Sequence, residues 1–235
     1  MTTFALDTAT PDPALAIVDG DVVVAESWLG RIPGGGRRVM EAAHDLFSSS
    51  GVGPSDLGEI VVGVGPGGFT GIRIGIATAL GLGQALDIPV YGASTLEALA
   101  LGIAASGISP PAAGPEMTTV PVIDARRGQV FAAAYRVDAA GAMDEVIAPA
   151  AWEPSDLAAA IAGLGPCLVA GDGADIVPLP DSAERAAGAA ADRISPVLLV
   201  RRVRVGAGRP VAPEYLRLPD AEENRLRRLR EEARA

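Results

Sequence analysis

The sequence predicts an α/β protein of two duplicated lobes, each a mixed sheet with flanking helices. Three observations carry that reading. First, a strand that ends in an aspartate at a turn, followed by a returning strand, occurs twice. It appears at Leu6-Asp7-Thr8-Ala9-Thr10 before Ala14 to Val18, and at Ile123-Asp124-Ala125-Arg126-Arg127-Gly128 before Gln129 to Tyr135. A unit repeated at the start of each half reads as an internal duplication. Second, the glycine loop Gly65-Pro66-Gly67-Gly68 joins an apolar strand to a long helical segment. Third, hydrophobic residues are 49% of the 235 residues and aromatics only 4%. The core is therefore built from Ala, Val, Leu and Ile with much Gly, which suits packed α/β layers.

The elements follow in order. Phe4 to Leu6 is a short strand, closed by the polar, proline-containing turn Asp7 to Pro13. Ala14 to Val18 returns, Asp19-Gly20 is a hairpin turn, and Val22 to Ser27 completes a meander. Ile32 to Gly36 reads as a loop with three consecutive glycines. Arg37 to Ser49 has helical spacing, with Val39, Ala42, Ala43, Leu46 and Phe47 on one face. Glu59 to Val64 is a buried strand, Phe69 to Leu86 a helix, Pro89 to Gly92 a strand and Thr95 to Ala105 a helix. Ser109 to Pro121, with four prolines, reads as a linker. Val120 to Ile123 and Gln129 to Tyr135 restart the pattern, and Leu168 to Ala170 is a later strand running into Gly171-Asp172-Gly173. Asp220 to Ala235 alternates charge signs and reads as a solvated helix.

Composition removes several chemistries. All 19 basic residues are arginine, so there is no Walker-type phosphate lysine, no Schiff-base lysine and no Ser-Lys dyad. The single cysteine, Cys167, excludes an intramolecular disulfide and fits a reducing compartment. One histidine, His44, and one cysteine do not make a zinc site. No serine sits in a nucleophile-elbow pattern. A net charge of −10 argues against tight, independent nucleic-acid binding. Met1 to Asp7 lacks a basic n-region and a long apolar run, and the apolar stretch Ile74 to Leu86 is short and glycine-rich for a membrane span. The expectation is a soluble cytoplasmic protein without a membrane segment.

Two groups of residues are candidates for function. The glycine loop and the aspartate turns, with Asp7, Thr8, Thr10, Gly67, Gly68 and Asp124, can present backbone N–H groups and hydroxyls to a phosphate, and paired aspartates can hold a metal–nucleotide complex. The plain reading is that glycine supplies positive φ and aspartate favours turns. In the helix after the loop, Gly71, Gly75, Ala79 and Gly83 form a stripe almost without side chains, beside an apolar ridge of Ile72, Ile76 and Leu80. Each interior glycine costs about 0.5–1 kcal/mol against alanine, so close packing must offset it. That packing is either on the protein's own sheet or on a second subunit, and both stand at this point. The arginines Arg201, Arg202, Arg204 and Arg209 read as a solvated or salt-bridged face.

Leu6 to Thr10, Gly65 to Gly75, Ile123 to Phe131 and Pro213-Glu214-Tyr215-Leu216-Arg217 together resemble the TsaB (YeaZ) family, the dimerisation subunits of the bacterial tRNA threonylcarbamoyladenosine machinery. The similarity runs from residue 5 to about residue 217, and the glycine-loop motif is specific to this family and its catalytic paralogue TsaD. The resemblance implies the actin-like ATPase (ASKHA) fold and a heterodimer with TsaD through N-lobe helices. TsaE, an ATPase, is implied as a third partner; no cofactor is expected, and the chain alone is either a homodimer or a monomer. TsaD transfers threonylcarbamoyl to N6 of the adenosine beside the tRNA anticodon, and tRNA is held mainly through the complex. On that reading 1–106 is an N-terminal lobe with the glycine loop and dimerisation helices. Residues 107–212 form a smaller, degenerate lobe, and 213–235 a C-terminal segment. The implied interface is Val39, Ala42, Ala43, Leu46, Phe47, Gly71, Ile72, Gly75, Ile76, Ala79, Leu80 and Gly83, and the phosphate site is vestigial. The paralogue's His-x-x-x-His metal motif is absent, since Arg37 to Ser49 contains only His44. Many members have a histidine just before this helix, where this chain has Gly34-Gly35-Gly36. The expected role is thus a non-catalytic subunit that binds and activates TsaD. The alternative is a nucleotide-dependent phosphotransferase or ATPase of the same fold; a metallopeptidase lacks its ligands.

Overall fold

The computed structural model describes residues 1–30, 35–108 and 117–217. β1 (Thr2–Asp7) pairs antiparallel with β2 (Ala14–Asp19), Leu6 opposite Leu15, and β3 (Val22–Trp28) extends the meander. After α1 (Gly35–Ser50), β4 (Leu57–Gly63) lies parallel to β1. After α2 (Phe69–Leu86), β5 (Val90–Ala93) lies parallel to β4. The order is β3-β2-β1-β4-β5. α3 (Thr95–Ala105) leads to the second sheet. There β6 (Met117–Arg126), β7 (Gln129–Val137) and β8 (Met143–Trp152) form an antiparallel meander. α4 (Pro154–Ala162) then precedes β9 (Cys167–Ala170), parallel to β6, and β10 (Ala183–Arg185), parallel to β9. The order is β10-β9-β6-β7-β8, the plan of the first sheet repeated. α5 (Ala189–Asp192) and α6 (Pro196–Arg202) follow.

Strand alternation sorts side chains into three cores. Phe4, Leu6, Leu15, Ile17, Ile60 and Val62 face outward from the first sheet under α1 and α2. Val120, Val122, Val130, Ala132, Cys167 and Val169 face outward from the second sheet under α4. The opposite faces, Ala5, Ala16 and Val61 on one sheet and Ile123, Phe131, Ala133 and Leu168 on the other, meet in a shared core. Period-two alternation makes the central strands β1, β2, β4, β6, β7 and β9 apolar on both sides, as expected for a sheet covered on both faces. The shared core is filled by two exchanged helices. α3 precedes the second sheet in sequence and packs on it, whereas α6 follows that sheet and packs on the first. Residues 95–103 of α3 are all buried, so the helix carries no polar stripe.

An ion pair holds this exchange. Glu97, buried in α3, accepts from Arg202 Nε of α6 at 2.7 Å and from Arg209. Ser94 caps α3 by accepting from the Glu97 N–H. Three of the four arginines read as a salt-bridged face are thus in ion pairs, Arg204 lying 3.5 Å from Asp21.

Several sequence boundaries move. β6 begins at Met117, so residues 117–121 are strand and not linker, while 109–116 lie outside the described residues. Pro121 sits within the β6–β7 pair, between Thr119 opposite Tyr135 and Val122 opposite Ala132, and faces Ala170 of β9. The glycines 35 and 36 open α1 and are not loop; the rest of the expected loop at 32–34 and the expected helix at 220–235 are outside the described residues. β8, α4, β10, α5 and α6 are elements that the sequence pattern does not predict. By length and mean hydropathy α2 matches a membrane span, because the helix starts at Phe69, well before the apolar stretch. Its buried side nonetheless seats on the first sheet.

Candidate functional site

The two aspartate turns face each other across the gap between the lobes, where a cavity of about 520 Å³ opens. Thr8, Thr10, Gly67, Gly68 and Asp124 line it; Asp7 does not. In the first lobe Asp7 is 1% exposed. Its Oδ1 accepts from the Ala9 N–H at 2.8 Å and its Oδ2 from Thr95 Oγ1 at 2.8 Å. Burial pushes the carboxyl above its ordinary value, and the Thr95 and backbone hydrogen bonds pull the other way. Thr8 Oγ1 donates to the Gly71 carbonyl at 2.7 Å, and Thr10 Oγ1 to the Asp12 carbonyl. The residues suggested for phosphate are therefore divided. Asp7 is sealed inside the turn, Thr8 both braces the turn and borders the open space, and Thr10, the glycine loop and Asp124 border it too. In the second lobe Asp124 Oδ1 accepts from the Arg126 N–H at 2.7 Å, its Oδ2 pairs with Arg126 Nη1 at 3.0 Å, and its side chain is 27% exposed. Among the described residues, no group of three or more His, Cys, Asp or Glu is placed to hold a metal.

The glycine loop is fitted to the first turn. Gly65 has φ +110°, a conformation that L side chains rarely adopt. The Gly68 N–H donates to the Ala9 carbonyl at 2.6 Å, and a Cβ on Gly67 would stand 2.7 Å from Ala9 Cβ. The bare stripe on α2 continues that approach. A Cβ on Gly71 would overlap the Thr8 carbonyl oxygen, one on Gly75 the Thr8 hydroxyl, and one on Gly83 the Val90 side chain. The stripe thus packs on the protein's own turn and sheet.

That packing decides what α1 and α2 leave outside. Of the residues suggested for an interface, Val39, Ala43, Leu46, Ile72, Gly75, Ile76, Ala79 and Gly83 are buried within the chain, and Ala42, Phe47 and Gly71 are half-buried. Leu80 alone in that set is exposed, at 46%. On the same helix Ala77, Gly81, Gln84 and Ala85 also face outward; on α1 Met40 is 47% exposed, beside exposed Glu41 and His44. The α2 face is of small and apolar residues interrupted by the exposed amide of Gln84, and sequence reasoning misses most of it because it follows the glycine stripe, which turns inward.

The C-terminal segment, given no role from the residues themselves, straps the lobes together. Arg209 and Gly92 exchange backbone hydrogen bonds, the Glu214 N–H donates to the Val64 carbonyl at 2.8 Å, and Arg217 reaches Gln129 in the second sheet at 3.0 Å. Tyr215 stacks on Phe69 of α2 with centroids 4.6 Å apart. Arg73 lies 3.7 Å over the Phe69 ring and its Nε donates to the Tyr215 hydroxyl at 2.9 Å. Burial raises the Glu214 carboxyl; Arg209 offsets part of this, and Glu97 and Glu145 add to it.

Two five-stranded sheets of one topology, facing across a cleft with a helix of each lobe exchanged between them, define the two-lobed actin-like ATPase class. Comparison with known proteins narrows this. Residues 36–197 match the family described as TsaD: tRNA N6-adenosine threonylcarbamoyltransferase. The chain is 37% identical over 137 residues to the tRNA threonylcarbamoyladenosine biosynthesis protein TsaB of Bacillus subtilis, an alignment spanning 58% of this chain and 56% of that relative. It is 33% identical to an uncharacterised protein of Mycobacterium tuberculosis over 94% of this chain and 93% of that one. YeaZ from Pseudomonas aeruginosa superposes with a TM-score of 0.73 at 25% identity, covering 92% of this chain and 99% of that structure. A further P. aeruginosa structure, described as similar to peptidase YEAZ, gives 0.72 at 26% identity. The chain belongs to the TsaD family and, within it, to TsaB (YeaZ).

Proposed function

We propose that this chain acts in tRNA threonylcarbamoyladenosine biosynthesis as a non-catalytic subunit that pairs with TsaD and activates it. Support comes from relatives named for that pathway and, above all, from the outward face of α2. Ala77, Leu80, Gly81 and Ala85, with Gln84 among them, leave a largely apolar surface on an element already anchored from behind by Gly71, Gly75 and Gly83. A helix held rigidly on its inner side presents its outer side without reorganisation, which favours association. The partner surface is therefore Leu80 with its exposed neighbours on α2, in place of the glycine stripe. A non-catalytic role also fits the turn chemistry, because Asp7 is spent on Ala9 and Thr95 and does not border the cleft.

The test is co-purification with TsaD and tRNA modification in a reconstituted assay. Leu80→Glu places a charge in the apolar face, and the complex should be lost while the thermal melt of the chain alone stays within about 2 °C, as for an exposed site. Retention of both complex and modification by Leu80→Glu removes the reading. Alone in solution the same face pairs two copies, which mass determination detects. TsaE joins as the third component, in the cytoplasm.

A second reading keeps the cleft as a nucleotide site for a phosphotransferase or ATPase. One observation favours it: the 520 Å³ cavity bordered by Thr10, Gly67, Gly68 and Asp124. Calorimetry with ATP and Mg²⁺ on the chain alone separates the two readings.

A further inference from the structure

We propose that a second cavity between the lobes binds a single-chain aliphatic carboxylate, its tail on an apolar floor and its head on Arg201. The cavity holds about 560 Å³, is walled by α3, α6 and the β2–β3 and β7–β8 turns, and shares no residue with the cleft at the aspartate turns. Such a site is independent of the role in tRNA modification.

The floor lies where the shared core stops short of closing. Leu101 of α3 and Val197 and Leu198 of α6 line the cavity and are each 9% exposed, the largest values among the buried side chains of that core. Their neighbours Leu99, Ile103 and Leu199 are at 1% or less. At the end of α3, Ala104 and Ala105 offer only methyl groups to the wall. Past the end of α6, Val205 stands at the lip with 70% of its surface exposed. A concave apolar cavity at the boundary of two packed units, of roughly 300–1,000 Å³, is the form that small-molecule sites take.

The head group follows from the charges. Asp21, Asp138, Arg201, Arg202 and Arg204 are the charged residues of the lining, and four of the five are engaged. Asp138 Oδ1 accepts from the N–H groups of Ala140 at 2.9 Å and Ala142 at 2.8 Å. Arg204 lies 3.5 Å from Asp21 and also donates to the Gly20 carbonyl. Arg202 is paired with Glu97, which Arg209 shares. Beyond the lining, Asp144 stands opposite Arg136 across β7 and β8, and Asp19 pairs with the Met1 amino group. Arg201 is exposed, and among the described residues it makes no hydrogen bond or ion pair. Its planar fork matches a carboxylate. An inorganic anion would meet Arg201 and leave the floor wet, and a neutral hydrocarbon would do the reverse. A carboxylate on an aliphatic tail uses both.

The test titrates decanoate, far below its micelle concentration, into the full chain by calorimetry. Saturable binding of one decanoate per chain is expected. Octanoate should bind about fifteenfold more weakly, at about fourfold for each of two buried methylenes. Decanol, with the tail and no charge, should bind about tenfold more weakly than decanoate. Arg201→Gln should weaken decanoate about tenfold and leave decanol unchanged, so that the two bind alike. Ala105→Trp, from an exposed position on the wall, should abolish binding with the thermal melt preserved. Arg126→Gln, at the other cleft, should bind as the parent does. No saturable binding of decanoate at about 1 mM overturns the proposal. So does decanol as tight as decanoate, or the parent's affinity in Arg201→Gln. Undiminished binding in a folded Ala105→Trp places decanoate elsewhere and overturns it too. Should Ala105→Trp not fold, the surface change Arg201→Gln decides alone.

Discussion

The turn at Asp7 and the turn at Asp124 are built to one plan and placed in opposite circumstances. In each, a strand ends in an aspartate whose Oδ1 accepts from the N–H two residues on, at 2.8 Å in the first lobe and 2.7 Å in the second. Over the first turn lies α2, its glycines fitted against Thr8, and Thr95 of α3 closes the other side. Against the second turn lie Asp172, whose Oδ1 accepts from the Asp124 N–H at 3.0 Å, and Gly173, while its Arg126 is 63% exposed. Duplication therefore preserved a backbone device, while the packing around it set one copy to hold the fold and left the other free to face a ligand. The difference resides in the second Oδ atom, which meets a buried hydroxyl in one lobe and a surface guanidinium in the other.

The most forceful way to break this contrast is to lift α2 from the first turn. Gly75→Leu drives a side chain into Thr8 and Val62. It should cost about 3 kcal/mol or more by overpacking, read as a lowered urea midpoint of the chain alone. A variant with the parent's midpoint would show that the turn is not sealed. Next in size is Asp7→Ala, which strands the Thr95 hydroxyl and the Ala9 N–H in a buried site and should cost about 2–3 kcal/mol.

A smaller effect separates charge from shape. The Asp7 carboxyl is raised above its ordinary 3.8 by burial. A carboxyl with a higher pKa folded than unfolded keeps its proton longer in the folded chain. Its contribution is thus fully present below the unfolded value and is lost as pH rises through the folded one. Asp7→Asn keeps the shape and removes the titration, so its urea stability should fall less than the parent's as pH is raised from about 4. Equal slopes would mean that Asp7 ionises without cost. Smallest of all, Asp124→Ala should cost about 0.5 kcal/mol, the worth of an exposed pair. A loss equal to that of Asp7→Ala would remove the asymmetry between the lobes.

Much of the fold was legible in the residues. The repeated strand–aspartate–turn unit announced the duplication, and the strands of the first lobe fell close to their expected positions because they are apolar runs between glycine, proline and aspartate turns. The second lobe was harder. β8 is nowhere fully buried, and α4 buries only Leu157 and Ile161, so neither carries a strong periodicity. Proline misled at Pro121, which belongs to a strand pair. In the candidate site, Thr10, Gly67, Gly68 and Asp124 do gather at one cleft. The strap and its Phe69–Tyr215–Arg73 contact could not be read, because residues 142 positions apart in sequence meet there.

By itself the sequence determined the chemistry that is missing and the local devices that are present. With no lysine, one histidine and one cysteine, whole mechanisms are closed however the chain folds. Aspartate at a strand end makes the same short-range hydrogen bond in either lobe because both partners lie two residues apart. Only the tertiary structure decided which way α2 faces. A stripe of Gly71, Gly75, Ala79 and Gly83 permits close approach by any surface, and which surface arrives depends on the neighbouring strands β4 and β5, through Val62 and Val90, and on a turn more than sixty residues earlier in the chain, where Thr8 accommodates Gly71 and Gly75. Small residues specify that something packs closely; the long-range contact specifies what.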